Sequence, residues 1–161
     1  GVYSEVGQGS TFKVYLPRSA ESSPTPSRPP RRVLTVRGTE TVLVVEDEPQ
    51  VREMIGQVLL DQGYRVLIAQ DGIEALQVAS EYAGPIHLLI TDVVMPRMSG
   101  LALADQLCPS RPEMRVLYMS GYTDSTIAHH GMSADATHFL SKPFDVEMLA
   151  HKVRQVLDAE A

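Results

Sequence analysis

The stretch Leu88-Leu89-Ile90-Thr91-Asp92-Val93-Val94-Met95-Pro96 decides how the rest of this chain is read. Its apolar run is too short for a helix and reads as a buried parallel strand, which delivers the carboxylate of Asp92 at its carboxyl end before Pro96 stops it. In an open parallel sheet ligands bind at the carboxyl ends of the strands, because helices cover both faces and leave the crevice at the rim open. A strand-end Asp alone more often solvates or caps a turn. Asp92 differs because other strands of the same pattern end in groups that suit the same chemistry.

From Glu40 onward strands and helices alternate. Strand-like runs cover 42–45, 65–69, 88–91, 115–119 and 138–140. The first helix, over 49–61, places Val51, Met54, Ile55, Val58 and Leu59 at i, i+3, i+4, i+7 and i+8, a single apolar stripe. Pro49 suits its first turn and Gly63 stops it. The last helix, over 145–158, repeats the stripe with Leu149, Val153, Val156 and Leu157. Five strands, each returned by a helix, predict an α/β fold: a doubly wound, five-stranded parallel sheet with helices on both faces. The flavodoxin-like order 2-1-3-4-5 suits that number and sets the first and third strands side by side at the switch point, so that the carboxylates after them converge.

The amino-terminal third is different. Residues 17–39 hold five of the eleven prolines among Ser, Arg and Gly and show no apolar period, which predicts an extended linker. Residues 1–16 carry a turn at Gly7 and Gly9, then an alternation of Phe12, Val14 and Leu16 with Thr11, Lys13 and Tyr15 that reads as a strand with one apolar face. The phrase Gly7-Gln8-Gly9-Ser10-Thr11-Phe12 with Val14-Tyr15-Leu16-Pro17 resembles the last glycine box and final strand of the ATP-binding domain of sensor histidine kinases. The rest of such a domain is missing, so no complete ATP site is expected, and Gly1 in place of Met suggests a fragment.

The 161 residues are 43% apolar, enough for one domain with a core plus an appendage. Charge is split: residues 1–39 hold six Lys/Arg against two Asp/Glu (+4), residues 40–161 eight against eighteen (−10). The acidic main body repels nucleic-acid phosphates and attracts cations, so no nucleic-acid partner is expected. No run of eighteen apolar residues and no secretory signal is present, which predicts a cytoplasmic fragment without membrane contact, although its parent protein can be membrane-anchored. A single cysteine, Cys108, excludes an internal disulfide, and beside Leu107 it fits a small buried residue on a helix better than a nucleophile. His129-His130 has no third ligand at metal-site spacing.

Glu46-Asp47-Glu48 follow the first strand, Asp92 the third, Ser120-Gly121 the fourth, and Lys142-Pro143-Phe144 the fifth. With the phrase Asp92-Val-Val-Met-Pro-Arg-Met-Ser-Gly100, these motifs make residues 40–158 resemble the receiver domains of two-component response regulators. Three carboxylates crowded at one point repel one another, and a hard divalent cation with retained waters is their natural neutraliser. The resemblance implies that Asp47, Asp92 and the main-chain carbonyl of Val94 bind Mg²⁺ directly, Glu46 acts through water, and Mn²⁺ can substitute. It implies further that Asp92 is the phosphoacceptor, that Lys142 and Ser120 contact the phosphoryl oxygens, that Ser120 and Phe139 act as the switch, and that the Lys142-Pro143 bond is cis. Phe139 has no hydroxyl where many members carry Tyr.

The expected function is that of a phosphoacceptor receiver of a hybrid histidine kinase, a phosphoprotein of a two-component phosphorelay that promotes its own Mg²⁺-dependent phosphorylation and dephosphorylation. The phosphohistidine donor is a kinase core in cis or in trans, since none of the five histidines sits in a kinase-like box, and a histidine phosphotransfer protein is a candidate onward partner. The sequence leaves open whether the domain forms a weak homodimer. Two other readings stand beside this one. A haloacid-dehalogenase-like phosphatase also forms an aspartyl phosphate but needs a second Asp at position 94, where this chain has Val. The other is a binding-only pseudo-receiver.

Overall fold

A computed structural model of the chain describes residues 2–5, 7, 9–13, 15, 38–121 and 138–159. The chain divides into two compact units, Gly1–Val33 and Leu34–Ala161. In the first, β1 (Val2–Glu5) pairs antiparallel with β2 (Gly9–Phe12), Val2 facing Phe12 and Glu5 facing Gly9. Gly7 and Gly9 take φ of 84° and 87°, the left-handed region a tight reversal needs and a Cβ disfavours. The apolar alternation through Leu16 predicts a longer strand than this. Among the described residues pairing runs to Phe12, Tyr15 is exposed, and Val14 and Leu16 lie outside the described residues.

The second unit runs β3 (Thr41–Val45), α1 (Pro49–Asp61), β4 (Arg65–Ala69), α2 (Gly72–Glu81), β5 (Leu88–Asp92), α3 (Gly100–Leu107), β6 (Arg115–Ser120), β7 (Phe139–Ser141) and α4 (Val146–Asp158). The five strands pair in parallel in the order β4-β3-β5-β6-β7, the 2-1-3-4-5 pattern that five crossover-linked strands predict. Successive side chains of a strand point to opposite faces, and the two faces build two cores. Leu43, Val45, Leu89 and Tyr118 belong to one, with residues of α2 and α3. Val42, Val44, Leu88, Ile90, Leu117 and Met119 belong to the other, with residues of α1 and α4. That is why β3 and β5 are unbroken apolar runs: both sides are covered, and each fully buried Leu or Ile contributes about 2 kcal/mol.

Local chemistry sets the ends of the helices. α1 starts at Pro49 and closes in a Schellman motif, with Gly63 at φ 92° donating to Leu60 O (2.9 Å) and Tyr64 donating to Leu59 O (3.1 Å). The carboxylate of Asp71 caps α2, the Ser99 hydroxyl caps α3 and the carboxylate of Asp145 caps α4, each accepting first-turn N–H groups. The expected linker ends earlier than its composition implies. Gly38 is buried, donates its N–H to Gln62 O (3.0 Å) and lies so close under the Tyr64 ring that a Cβ there would meet it at 1.8 Å. The last strand is Phe139–Ser141, one residue beyond the expected 138–140, and the Lys142-Pro143 bond is cis as the resemblance implies. No helix among the described residues is long and apolar enough to cross a membrane.

Candidate functional site

The register brings the candidate residues to one rim. Val45 pairs with Thr91, so the residues just beyond β3 sit beside the end of β5; Asp92 pairs with Met119, and Ser120 pairs with Ser141, the residue before Lys142. Oxygens of Glu46, Asp47 and Asp92 all lie within 4.8 Å of one another. Such a hard, all-oxygen donor set is suited to a divalent cation of the magnesium type.

Lys142 crosses the notch. Its Nζ donates to Asp92 Oδ2 at 2.5 Å and to Glu46 Oε2 at 2.7 Å. The Glu46 side chain is 1% exposed, and burial raises its pKa, with Lys142 pulling part of the way back. Burial opposes the charge on Lys142, but the hydrogen bonds it donates to the two carboxylates, with their charge, outweigh it and raise its pKa. The lysine is therefore a fixed cation at neutral pH, aimed at the oxygen of Asp92 rather than into solvent.

Backbone and side-chain contacts hold the acidic loop after β3. Glu46 donates its N–H to Ala69 O (3.3 Å), and Glu48 donates to Glu46 Oε1 (3.2 Å). Arg52, in the first turn of α1, donates Nη1 to the carbonyl of Glu46 (2.6 Å) and to that of Asp47 (3.3 Å). Nothing in the sequence pattern singles out Arg52; a basic residue one turn into an exposed helix face looks like ordinary solvated charge.

The other expected residues are placed as follows. Val94, 60% exposed, donates its N–H to Asp92 Oδ1 at 3.1 Å, which fixes the rotamer of the carboxylate. Ser120 is buried at the end of β6, where its carbonyl accepts from Lys142 N (2.7 Å), and among the described residues no hydrogen bond joins its hydroxyl to Asp92. Phe139 is half-buried and stacks on Tyr118 with centroids 5.3 Å apart, away from the carboxylates. Burial pushes the Tyr118 hydroxyl up to about 12. Residues 122–137, His129-His130 among them, lie outside the described residues.

One ion pair is missed by sequence reasoning. Asp71, at the start of α2, is ion-paired to Arg97 from the loop after β5, across 26 residues of chain. The two residues share no motif, so no local signal joins them.

A family model described as the response regulator receiver domain matches residues 42–154. The sensor kinase CckA of Brucella abortus is 36% identical over 165 residues, covering 98% of this chain and 17% of that kinase. The response regulator MprA of Mycobacterium ulcerans is 35% identical over 117 residues, 72% of this chain and 49% of the regulator. Among solved structures, the receiver domain from the hybrid histidine kinase CckA matches with a TM-score of 0.60 at 36% identity, covering 73% of this chain and 99% of that one. The chemotaxis response regulator CheY4 of Vibrio cholerae gives 0.64 at 30% identity, covering 74% and 99%. The chain spans about half or less of the length of the curated relatives it matches.

Proposed function

Because this chain belongs to the response regulator receiver family, we propose that Asp92 is a phosphoacceptor fed by a phosphohistidine. An oxygen of its carboxylate attacks phosphorus, the P–N bond breaks, and the imidazole nitrogen leaves with the electron pair and takes up a proton; the product is an acyl phosphate. The observation that carries this reading is Lys142 Nζ within hydrogen-bond reach of both Asp92 and Glu46 at the meeting point of two adjacent strand ends. A carboxylate is a poor nucleophile toward an anionic phosphoryl group unless the incoming charge is countered. Lys142 is a positive charge already in place to do so.

The remaining residues divide the work. Val94 N–H holds one Asp92 oxygen and leaves the other toward Lys142. Ser120 supplies a hydroxyl donor to a phosphoryl oxygen, with Phe139 following it as the switch. Asp47, Asp92 and the carbonyl of Val94, with Glu46 through water, would hold Mg²⁺, which when bound adds positive charge against the phosphoryl oxygens. Arg52 keeps the loop that carries Glu46 and Asp47 in register. Val94 has no carboxylate to act as the acid of a haloacid-dehalogenase-like phosphatase, and nothing in the site favours that reading.

The same proposal assigns residues 1–16 to the tail of a kinase ATP-binding domain, the stretch after them to a linker, and the whole to the cytoplasmic part of a hybrid histidine kinase. Its support is the alignment with a sensor kinase along 98% of the chain. The donor is then that kinase's own core or another's, and a histidine phosphotransfer protein is the onward acceptor. Phosphate-affinity gels after incubation with acetyl phosphate and Mg²⁺ test the central claim. Wild type shifts and Asp92→Asn does not; an equal shift in both rejects Asp92 as the acceptor.

A further inference from the structure

The loop from Val93 to Ser99 joins β5 to α3 and contains Val94, whose carbonyl is assigned above to the cation. Its backbone hydrogen bonds are Val93 N to Met119 O (2.9 Å), Met98 N to Pro96 O (2.8 Å) and Gly100 N to Val93 O (3.1 Å), the last two internal to the loop and its own helix. Val94, Pro96 and Arg97 are exposed. Side chains supply the other ties. Val93 and Met95 are buried in the core, the Ser99 hydroxyl caps α3, and two side chains reach α2: Arg97 pairs with Asp71, and Met98 lies against Gly72 so closely that a Cβ there would come 2.7 Å from its sulfur.

Asp71 is a firm anchor. Its Oδ1 accepts from Ile73 N (2.8 Å) and Glu74 N (3.0 Å), its Oδ2 takes Arg97, and its side chain is 7% exposed. Arg97 itself sits at φ 68°, a conformation that glycine adopts freely and an arginine rarely does. Local preference therefore opposes the backbone at this point, and the ion pair acts in favour of it.

We propose that the Arg97–Asp71 pair is a latch that positions the β5–α3 loop, and through it the Val94 carbonyl, and so sets how tightly the acidic notch takes up a divalent cation. Arg97 and Asp71 are positioning residues: neither reaches the reacting atoms. The inference rests on the receiver reading of the notch, and the test separates the two.

Mg²⁺ alone is titrated calorimetrically into the full 161-residue chain and its Arg97→Ala, Arg97→Gly, Arg97→Lys and Asp71→Asn variants, with the melting temperature of each recorded. Asp71→Asn keeps a side-chain oxygen to cap α2. Arg97→Gly removes the charge while relieving the backbone. The dissociation constant for Mg²⁺ rises about 3- to 10-fold in Arg97→Ala, Arg97→Gly and Asp71→Asn, and Arg97→Lys recovers most of the loss. Acetyl phosphate labelling of Arg97→Ala is slow at low Mg²⁺ and returns to the wild-type rate at saturation. Mg²⁺ affinities within twofold of wild type in Arg97→Ala and Asp71→Asn overturn the latch, as does an Arg97→Lys no better than Arg97→Ala. If those affinities are unchanged while wild type is labelled on Asp92, the latch alone fails; if Asp92→Asn is labelled as well, the receiver reading fails with it.

Discussion

Replacing Gly100 by Ala probes the joint between the sheet and the site. A Cβ at position 100 would stand 2.2 Å from the carbonyl oxygen of Asp92 and 2.8 Å from both Cγ2 and Oγ1 of Thr91, where ordinary contact is 3.4–4 Å. The shortfall exceeds an ångström, and the main obstacle is backbone in a strand paired on both sides. Thr91 is fully buried and gives no slack. α3 must withdraw, loosening Leu103 and Leu107 in the core and stretching the bond from Gly100 N to Val93 O. Overpacking costs about 1–3 kcal/mol, and a rigid obstacle puts this site near the upper end, less a few tenths for the better helix propensity of Ala. For a domain of this size that is a melting temperature lower by about 10 °C. Gly72→Ala is the comparison: its Cβ would meet side-chain atoms of Met98, Sδ at 2.7 Å and Cβ and Cγ at 2.9 Å, rather than strand backbone at 2.2 Å, so its cost stays near the lower end of the overpacking range, about 1 kcal/mol. Because the push in Gly100→Ala falls on the main chain of Asp92, acetyl phosphate labelling at 25 °C slows by about tenfold or more as well. Thermal unfolding and a labelling time course check both effects. A Gly100→Ala melting temperature within two or so degrees of wild type, or equal to that of Gly72→Ala, would refute the steric argument.

Lys142→Ala should slow labelling of Asp92 by about 10²- to 10³-fold at saturating Mg²⁺, the usual loss on removing one fixed donor to a developing charge, as read from a quenched time course. Glu46 has a folded pKa raised by burial above its ordinary 4.5, so its contribution to stability is present below that value and lost as pH rises through the raised one. In EDTA, the melting temperature of Glu46→Gln relative to wild type therefore climbs with pH, and Mg²⁺ at ten times its dissociation constant returns about 1.4 kcal/mol to wild type. Arg154→Ala removes partners of Glu40 (2.9 Å) and Asp158 (2.6 Å) and costs about 1–2 kcal/mol in a urea melt. Burial pushes the Glu40 carboxyl up, but hydrogen bonds from Arg154 and the backbone outweigh it and hold the pKa low; the stability it adds is present above 4.5 and fades as pH falls, and the variant flattens that acid limb.

The elements most legible in the sequence are those whose pattern is local and repeated. The apolar runs of β3 and β5 mark strands covered on both faces, and the stripe from Val51 to Leu59 with Pro49 and Gly63 at its ends gives α1 at its observed bounds. Asp47, Asp92 and Lys142 were readable because strand ends in a parallel sheet share a rim, so register does the assembling. Arg97 and the reach of Arg154 to Glu40 were not, since those partners are brought together only by tertiary packing, and Arg52 was not because its acceptors are main-chain carbonyls that no side-chain pattern marks. The linker boundary was misplaced for a related reason. Gly38 looks like loop composition until Tyr64, 26 positions on, closes over it.

The ammonium of Lys142, seated between two carboxylates, gives the notch a counter-ion of its own. With three acids and one ammonium the formal excess is two negative charges, which a divalent ion would cancel. Arrival of such an ion is therefore an exchange, in which the amine loosens its hold on one acid, rather than capture by a bare cluster. Exchange weakens binding relative to an unguarded trio of carboxylates. Under the phosphoacceptor function proposed above, it also frees the ammonium to follow the incoming phosphoryl group.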